Sequence, residues 1–251
     1  MFPYIYIVLP SYAVLAFLGA FVTLVFLYFR REAYHVPFNK FLILFFSCIV
    51  GGFIGSKVLY TLAQFAAQGS SVRFSELPVL FMWSGYAFYG GLFGVLIALH
   101  IMVKHLGKLK LRDMHQMIAP ALPLFHGFGR IGCMMAGCCY GVTLAHPIII
   151  FNVVQVNLFP TQLVESIYEF LLFGVLYWIG KHYPRFDLLK GYLLSYAVFR
   201  FCIEFVRADT DRGMWFGIST SQWISLMIIV YFFIKRVRSH RENSCIKKSL
   251  S

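Results

Sequence analysis

Residues 5–29 read IYIVLPSYAVLAFLGAFVTLVFLYF without a single charge, and Arg30 and Arg31 follow at once. A run of that length meets the roughly 20 apolar residues a helix needs to cross the hydrocarbon core of a bilayer. The basic pair comes after the run, the reverse of a secretory leader. The segment is therefore expected to be a retained helix, with its N-terminus outside and its arginines in the cytoplasm. Working outward, six further apolar segments follow at 41–65, 86–103, 114–134, 162–180, 188–206 and 220–234. At the start of the last one, Ser219 and Gln222 have the spacing of a capping box.

Composition says the same. Hydrophobic residues make up 60% of the 251 positions and charged residues only 13%, against about 25% charged in soluble domains. The mean hydropathy is +0.74. The net charge of +12 would suit nucleic acid, but its distribution does not. Arg30, Arg31 and Lys40 fall in the first connection, and Lys104, Lys108, Lys110 and Arg112 in the third. Lys181, Arg185 and Lys190 fall in the fifth, and Lys235, Arg236, Arg238, Arg241, Lys247 and Lys248 in the tail. These alternate connections lie on one side and hold 16 of the 22 basic residues, the bias expected of cytoplasmic loops. Lys57, Arg73, Arg130, Arg200, Arg207 and Arg212 remain for the spans and the other side. The expectation is an all-α polytopic integral membrane protein of about seven transmembrane helices, N-terminus outside and C-terminus cytoplasmic. Residues 1–234 form one membrane domain and 235–251 a basic cytoplasmic tail. No nucleic-acid partner is needed, and no matching halves point to a transporter.

Ionisable groups in a span are costly and usually face a partner or a wet cavity. Four polar clusters stand out. Arg200, Glu204 and Arg207 are spaced four and three apart, with Tyr196 one turn earlier, so one helix face should carry all four. Two arginines against one carboxylate leave a positive surplus suited to an anion such as a lipid phosphate; an internal ion pair is the plainer alternative. Gly129-Arg130-Ile131-Gly132 ends the fourth span, with His126 one turn before Arg130 and Pro120 and Pro123 able to open the helix. The runs around Gly51-Gly52 and Gly90-Gly91 suit close helix packing. Pro160 can start the fifth span, where Gln162 and Glu165 share a face or simply cap it. All four clusters fall toward the outer end of their spans, the level of lipid headgroups.

Together these strings resemble the prolipoprotein diacylglyceryl transferase family. The residues that carry the resemblance are Gly52-Phe53-Ile54-Gly55, Gly90-Gly91-Leu92-Phe93-Gly94, Asp113 with Ala119-Pro120, and Gly129-Arg130-Ile131-Gly132. They continue with Pro160-Thr161-Gln162-Leu163-Val164-Glu165, Tyr196 with Phe199-Arg200, Glu204-Phe205-Val206-Arg207, and Gln222. The likeness runs over roughly 10–235. It implies an enzyme of the bacterial cell membrane, active toward the outer leaflet. Such an enzyme moves the diacylglyceryl group of phosphatidylglycerol to the lipobox cysteine thiol of a prolipoprotein signal peptide and releases glycerol phosphate. It implies catalytic roles for Arg130, Arg200, Glu204 and Tyr89. Substrate contacts are implied for Tyr196, Arg207, Gln162, Glu165, Gly90, Gly91, Gly129, Gly132 and His126. It requires no metal and no cofactor, and a monomer suffices.

The chain departs from the family pattern at three places. Tyr89 stands where well-known members have His, Cys133 where they have Asn, and Cys138 where they have Glu. A related transferase with another acceptor, or a lipid binder without catalysis, are the alternatives. Tyr89 and His126 are the in-chain candidates for the base. Cys48 and Cys202 lie in apolar runs and are expected to pack, and Cys245 lies in the tail. Cys133, Cys138 and Cys139, at spacings of five and one, lack the paired motifs of a usual zinc site, although His146 could add a fourth ligand. A disulfide suits the outer side better, with free thiols or a covalent cysteine intermediate also open.

Overall fold

The computed structural model describes residues 4–5, 9–68, 81, 85–150, 154–208 and 214–249. Among the described residues the α-helices are α1 (Ser11–Arg30), α2 (Phe38–Gln68), α3 (Phe88–Leu106), α4 (Leu111–Ile118), α5 (Ala121–Ala136), α6 (Thr161–His182), α7 (Leu188–Ile203) and α8 (Thr220–Ser249). Three antiparallel strand pairs accompany them: β1 (Tyr4–Ile5) with β2 (Leu9–Pro10), β3 (Thr143–Ile150) with β4 (Val154–Leu158), and β5 (Met214–Trp215) with β6 (Ile218–Ser219). The fold is mostly helical rather than purely so.

Among the described residues, four stretches are long and apolar enough to cross a membrane: Ser11–Tyr34, Phe38–Ala66, Phe88–Leu106 and Thr161–His182. Four of the seven expected segments take a different form. The 114–134 segment is two helices, broken at Ala119-Pro120. Pro120 has no N–H to continue the ladder and caps α5 instead. The 188–206 segment stays α-helical only to Ile203 and tightens into a 3₁₀ turn over Glu204–Val206. At 16 residues, α5 and α7 each reach about 24 Å. The last segment runs on as one helix to Ser249, past the start of the basic tail. The first begins at Ser11 rather than 5, because Pro10 holds extended backbone at the cap. Arg73 and Arg212 lie outside the described residues.

Burial is inverted relative to a soluble protein. Phe17 is 78% and Leu171 65% exposed, while Ser11, Lys57, Thr61, Gln162, Glu165, Glu169, Arg200 and Ser225 are buried. Only an apolar solvent makes that distribution favourable, since exposed apolar patches of this extent are rare in water. Cys202 is exposed rather than packed.

α2 packs along α3, α1 along α5, α5 along α6, and α7 along α8. The α2–α3 contact runs through glycines. A Cβ on Gly55 or Gly94 would drive into the facing backbone carbonyl of Gly90 or Gly51. Without a hydrophobic force between helices in lipid, such close backbone approach supplies the dispersion that holds them.

The basic connections meet at one end. Lys40 Nζ donates to the Leu106 and Gly107 carbonyls at 2.8 and 3.0 Å, and Arg30 donates to the Gln116 carbonyl at 3.2 Å. The Gln116 side chain ties the α6–α7 turn, donating to Phe186 O and accepting from Leu188 N. Gln162, Glu165 and Arg200 sit toward the opposite ends of their helices.

Candidate functional site

Glu165 is the centre of the site. Thr161 begins α6 just after Pro160, and one turn in, Glu165 is fully buried. Its carboxylate meets three guanidinium groups from three segments. Arg130 of α5 pairs through Nε with Oε2, Arg200 of α7 donates from Nη1 to Oε1 at 2.5 Å, and Arg207 beyond α7 donates to the same oxygen at 3.3 Å. Arg200 also reaches Glu204 through Nη2 at 2.5 Å and Ser221 of α8 at 3.4 Å. Three guanidinium groups thus meet two carboxylates directly in a space shielded from water. Guanidinium groups gathered in this way suit an anion such as a phosphate.

Arg200, Glu204 and Arg207 do converge, but not on one α-helical face as their spacing predicts. Glu204 lies in the 3₁₀ turn, and Arg207 is extended, bridged to Gly141. The 3₁₀ turn and extended residue carry the Arg207 guanidinium across to α6. The Arg200–Glu204 pair is real, yet it is one edge of a larger network. Gln162 and Glu165 do not solvate a helix entry. Gln162 is buried and donates to the Cys138 carbonyl at 2.5 Å.

On the helix-interior side of Glu165 lies an aromatic layer. His126 Nδ1 and Glu169 Oε1 are 2.8 Å apart, and the imidazole stacks on Phe88 with centroids 3.7 Å apart. Tyr196 sits edge-on to both His126 and Tyr89. The Tyr89 hydroxyl is 2.6 Å from Ser225 Oγ. The Tyr196 hydroxyl is buried without a hydrogen-bond partner among the described residues, a condition buried hydroxyls seldom tolerate. His126 is thus both hydrogen-bonded and stacked in this structure.

The glycines divide. Gly90 and Gly91 face α2, and Gly132 faces Tyr12 of α1, where a Cβ would come within 3.1 Å of the ring. Gly129, one residue before Arg130, has open space at its missing Cβ. Glu169 was not anticipated. Its signal was present, since it follows Glu165 by four in an apolar span, which places a second costly carboxylate on the same face. Ser221 and Ser225 repeat that interval on α8, where only Ser219 and Gln222 were singled out. That capping box forms as read: Ser219 N donates to Gln222 Oε1 at 2.9 Å, and Gln222 N donates to Ser219 Oγ at 3.2 Å.

Beside the charged centre, Cys133, Cys138 and Cys139 stand as thiols that no disulfide bridges. Hydrogen bonds from the Cys133 and Cys138 thiols hold Cys139 below the ordinary thiol range. His146 is exposed on β3 and is not part of the thiol cluster.

A family model described as prolipoprotein diacylglyceryl transferase matches residues 2–237. The chain is 35% identical over 193 residues to phosphatidylglycerol–prolipoprotein diacylglyceryl transferase 2 of Clostridium perfringens, covering 72% of each chain. It is 32% identical over 206 residues to the phosphatidylglycerol–prolipoprotein diacylglyceryl transferase of Clostridium tetani, covering 77% of this chain and 79% of that one. The enzyme of the same name from Idiomarina loihiensis is 29% identical over 239 residues, 91% of this chain and 88% of its own. With that match running over residues 2–237 and the arginines and carboxylates of the motifs gathered around one buried centre, the chain belongs to the prolipoprotein diacylglyceryl transferase family.

Proposed function

We propose that the chain transfers the diacylglyceryl group of phosphatidylglycerol to the lipobox cysteine thiol of a prolipoprotein signal peptide and releases glycerol phosphate. The observation that carries this reading is the buried cluster of Arg130, Arg200 and Arg207 around Glu165 and Glu204. The reaction turns a phosphodiester monoanion into a phosphomonoester dianion. Guanidinium groups fixed in a low-dielectric site before the reaction stabilise the charge as it develops, without having to reorganise.

Each residue then has a role. Arg130 and Arg200 hold the phosphoglycerol, and Glu165 and Glu204 fix the planes of the guanidinium groups. The Tyr196 hydroxyl, without a partner among the described residues, is available to the headgroup, and the open space at Gly129 admits the glycerol backbone. Arg207, Gln162, Gly132, Gly90 and Gly91 shape the surroundings. His126 and Tyr89 are committed to Glu169 and Ser225. Tyr89 remains the hydroxyl nearest in kind to the expected base.

Seven spans with the N-terminus outside place the centre toward the outer leaflet, where donor headgroup and exported signal peptide meet. The meeting of basic connections at the other end supports this, as does the charge bias. Residues 1–234 form the membrane domain, and the basic residues after 234 lie in the cytoplasm. One chain supplies every charged group of the cluster, so a monomer suffices.

The test is turnover by purified protein in detergent with phosphatidylglycerol and a lipobox peptide, read by mass spectrometry, with Arg130→Ala alongside. Thioether and glycerol phosphate from the wild type, reduced about 10²–10³-fold in Arg130→Ala, is the expected result. Glycerol phosphate without peptide product would move the reading to a transferase with a different acceptor, which the departures at Tyr89, Cys133 and Cys138 favour. Lipid binding without either product would refute catalysis.

A further inference from the structure

α5 ends in a chain reversal that gathers three sulfur atoms. Gly137 takes φ +77, and its N–H bonds to the Met134 carbonyl while the Cys138 N–H bonds to the Cys133 carbonyl at 3.2 Å. These are the two bonds of a Schellman cap. They fold Cys138 back over the last turn of the helix. Cys139 then adopts φ +63, a left-handed conformation that costs a non-glycine residue about 1–2 kcal/mol. The surroundings hold it there: Thr161 Oγ1 donates to the Cys139 carbonyl at 2.6 Å, and Gln162 Nε2 to the Cys138 carbonyl at 2.5 Å. The three Sγ atoms all lie within 4.8 Å of one another. Cys138 is exposed, while Cys133 and Cys139 are half-buried.

We propose that Cys133, Cys138 and Cys139 are three ligands of a zinc-class cation whose fourth position takes the acceptor cysteine thiol. This inference rests on the transfer reading above. Three sulfurs at about 2.3 Å from a tetrahedral metal stand about 3.8 Å apart, so the observed cluster needs only about an ångström of side-chain adjustment. Thiolates select thiophilic cations over magnesium or calcium. Three protein ligands with one open position is the arrangement of a catalytic zinc site rather than a closed structural one. The exposed side of Cys138 leaves the approach to that position open.

The placement fits the reaction. Cys133 follows Arg130 by one turn, a rise of about 4.5 Å. The first turn of α6 fastens the cysteine loop, and Glu165 stands one turn further along the same helix. A coordinated thiol is deprotonated outright, with its proton passing to water at the exposed face. The sulfur electron pair then forms the S–C bond to the glyceryl carbon as the C–O bond to phosphate breaks. The leaving oxygen keeps that bonding pair, so glycerol phosphate departs as the dianion held by the arginines. A thiolate and a phosphodiester monoanion thus give a neutral thioether and a dianion, and charge balances. No side-chain base is needed, which accounts for His126 and Tyr89 being tied to other partners.

The test uses the full-length reduced protein in detergent, stripped with chelator and titrated with Co²⁺. One equivalent should produce thiolate-to-cobalt charge-transfer absorption and the visible bands of a tetrahedral site. Cys138→Ser and Cys139→Ser should weaken them, and Cys202→Ser should leave them unchanged. A lipobox peptide should shift the visible bands, and the same peptide with serine for cysteine should not. At pH 6 a free thiol of pKa about 8.5 is only about 0.3% ionised, so stripping the metal should lower turnover by about 300-fold, with zinc restoring it. Absent bands, a disulfide within the cluster by mass spectrometry, or bands indifferent to the peptide thiol overturn the proposal. Full turnover by stripped protein overturns the metal site and leaves the transfer reading standing. A loaded protein that coordinates the peptide thiol but forms no thioether overturns the transfer reading alone.

Discussion

Glu165→Gln is the substitution that most directly probes the charged centre. The amide is nearly the same size, so packing is preserved and only a charge is removed. In the native site three guanidinium groups face two carboxylates. The substitution leaves three against Glu204 alone, making the buried site more positive by one charge. Removing one partner from a buried ion pair costs about 3–5 kcal/mol, because the remaining charge stays desolvated. For a chain of this size each kcal/mol moves the unfolding midpoint by about 2–4 °C, so a fall of about 6–20 °C is expected. Differential scanning fluorimetry in neutral detergent reads it directly. Adding phosphatidylglycerol should recover more of the loss in Glu165→Gln than it adds to wild type, since a ligand stabilises only the folded state it binds and the variant site is the more cationic. Turnover at a temperature where the variant is folded should fall too, because the arginines lose the carboxylate that orients them. A variant with unchanged midpoint and unchanged turnover would refute the view that Glu165 organises the site. A variant that anionic lipid stabilises no better than a neutral lipid does would refute the view that the site is built for a phosphate.

Arg200→Lys keeps the charge, but one ammonium cannot hold Glu165 and Glu204 as two Nη atoms do. Loss of one charge-assisted bond, about 1.5–3 kcal/mol, should lower kcat/KM about ten- to hundred-fold, and steady-state kinetics would show it. Gly129→Ala meets no neighbour and should raise the unfolding midpoint slightly, by about 0.5–1 kcal/mol of helix preference. If that space admits the lipid, KM for phosphatidylglycerol should rise at the same time. Gly94→Val would force its side chain into the α2 backbone and should cost at least about 1–3 kcal/mol, read as a lower midpoint in detergent. Ser219→Ala removes one arm of the α8 capping box and should cost about 1 kcal/mol, with kcat unchanged.

Much of this protein was legible in one dimension. The charge-free run before Arg30, the apolar segments and the grouped basic connections report on a solvent, and solvent preference is written in composition. The capping box at Ser219 and Gln222 is likewise local, since it concerns residues three apart on the same chain segment. So are the glycine intervals of α2 and α3, which recur at the spacing of one helix face. Arg130, Arg200 and Glu165 could be singled out because a charge in an apolar run is conspicuous wherever it points. What the sequence could not convey is which charges meet. Glu165 binds arginines 35, 35 and 42 positions away, and that choice depends on how α5, α6 and the end of α7 pack. The expectation of one helical face for Arg200, Glu204 and Arg207 failed because helical spacing assumes the helix continues, and here it stops at Ile203. The three cysteines show the same limit at shorter range. Their spacings of five and one describe no familiar ligand pattern until a left-handed glycine turns the chain back, and only the tertiary contacts of Thr161 and Gln162 hold that turn in place.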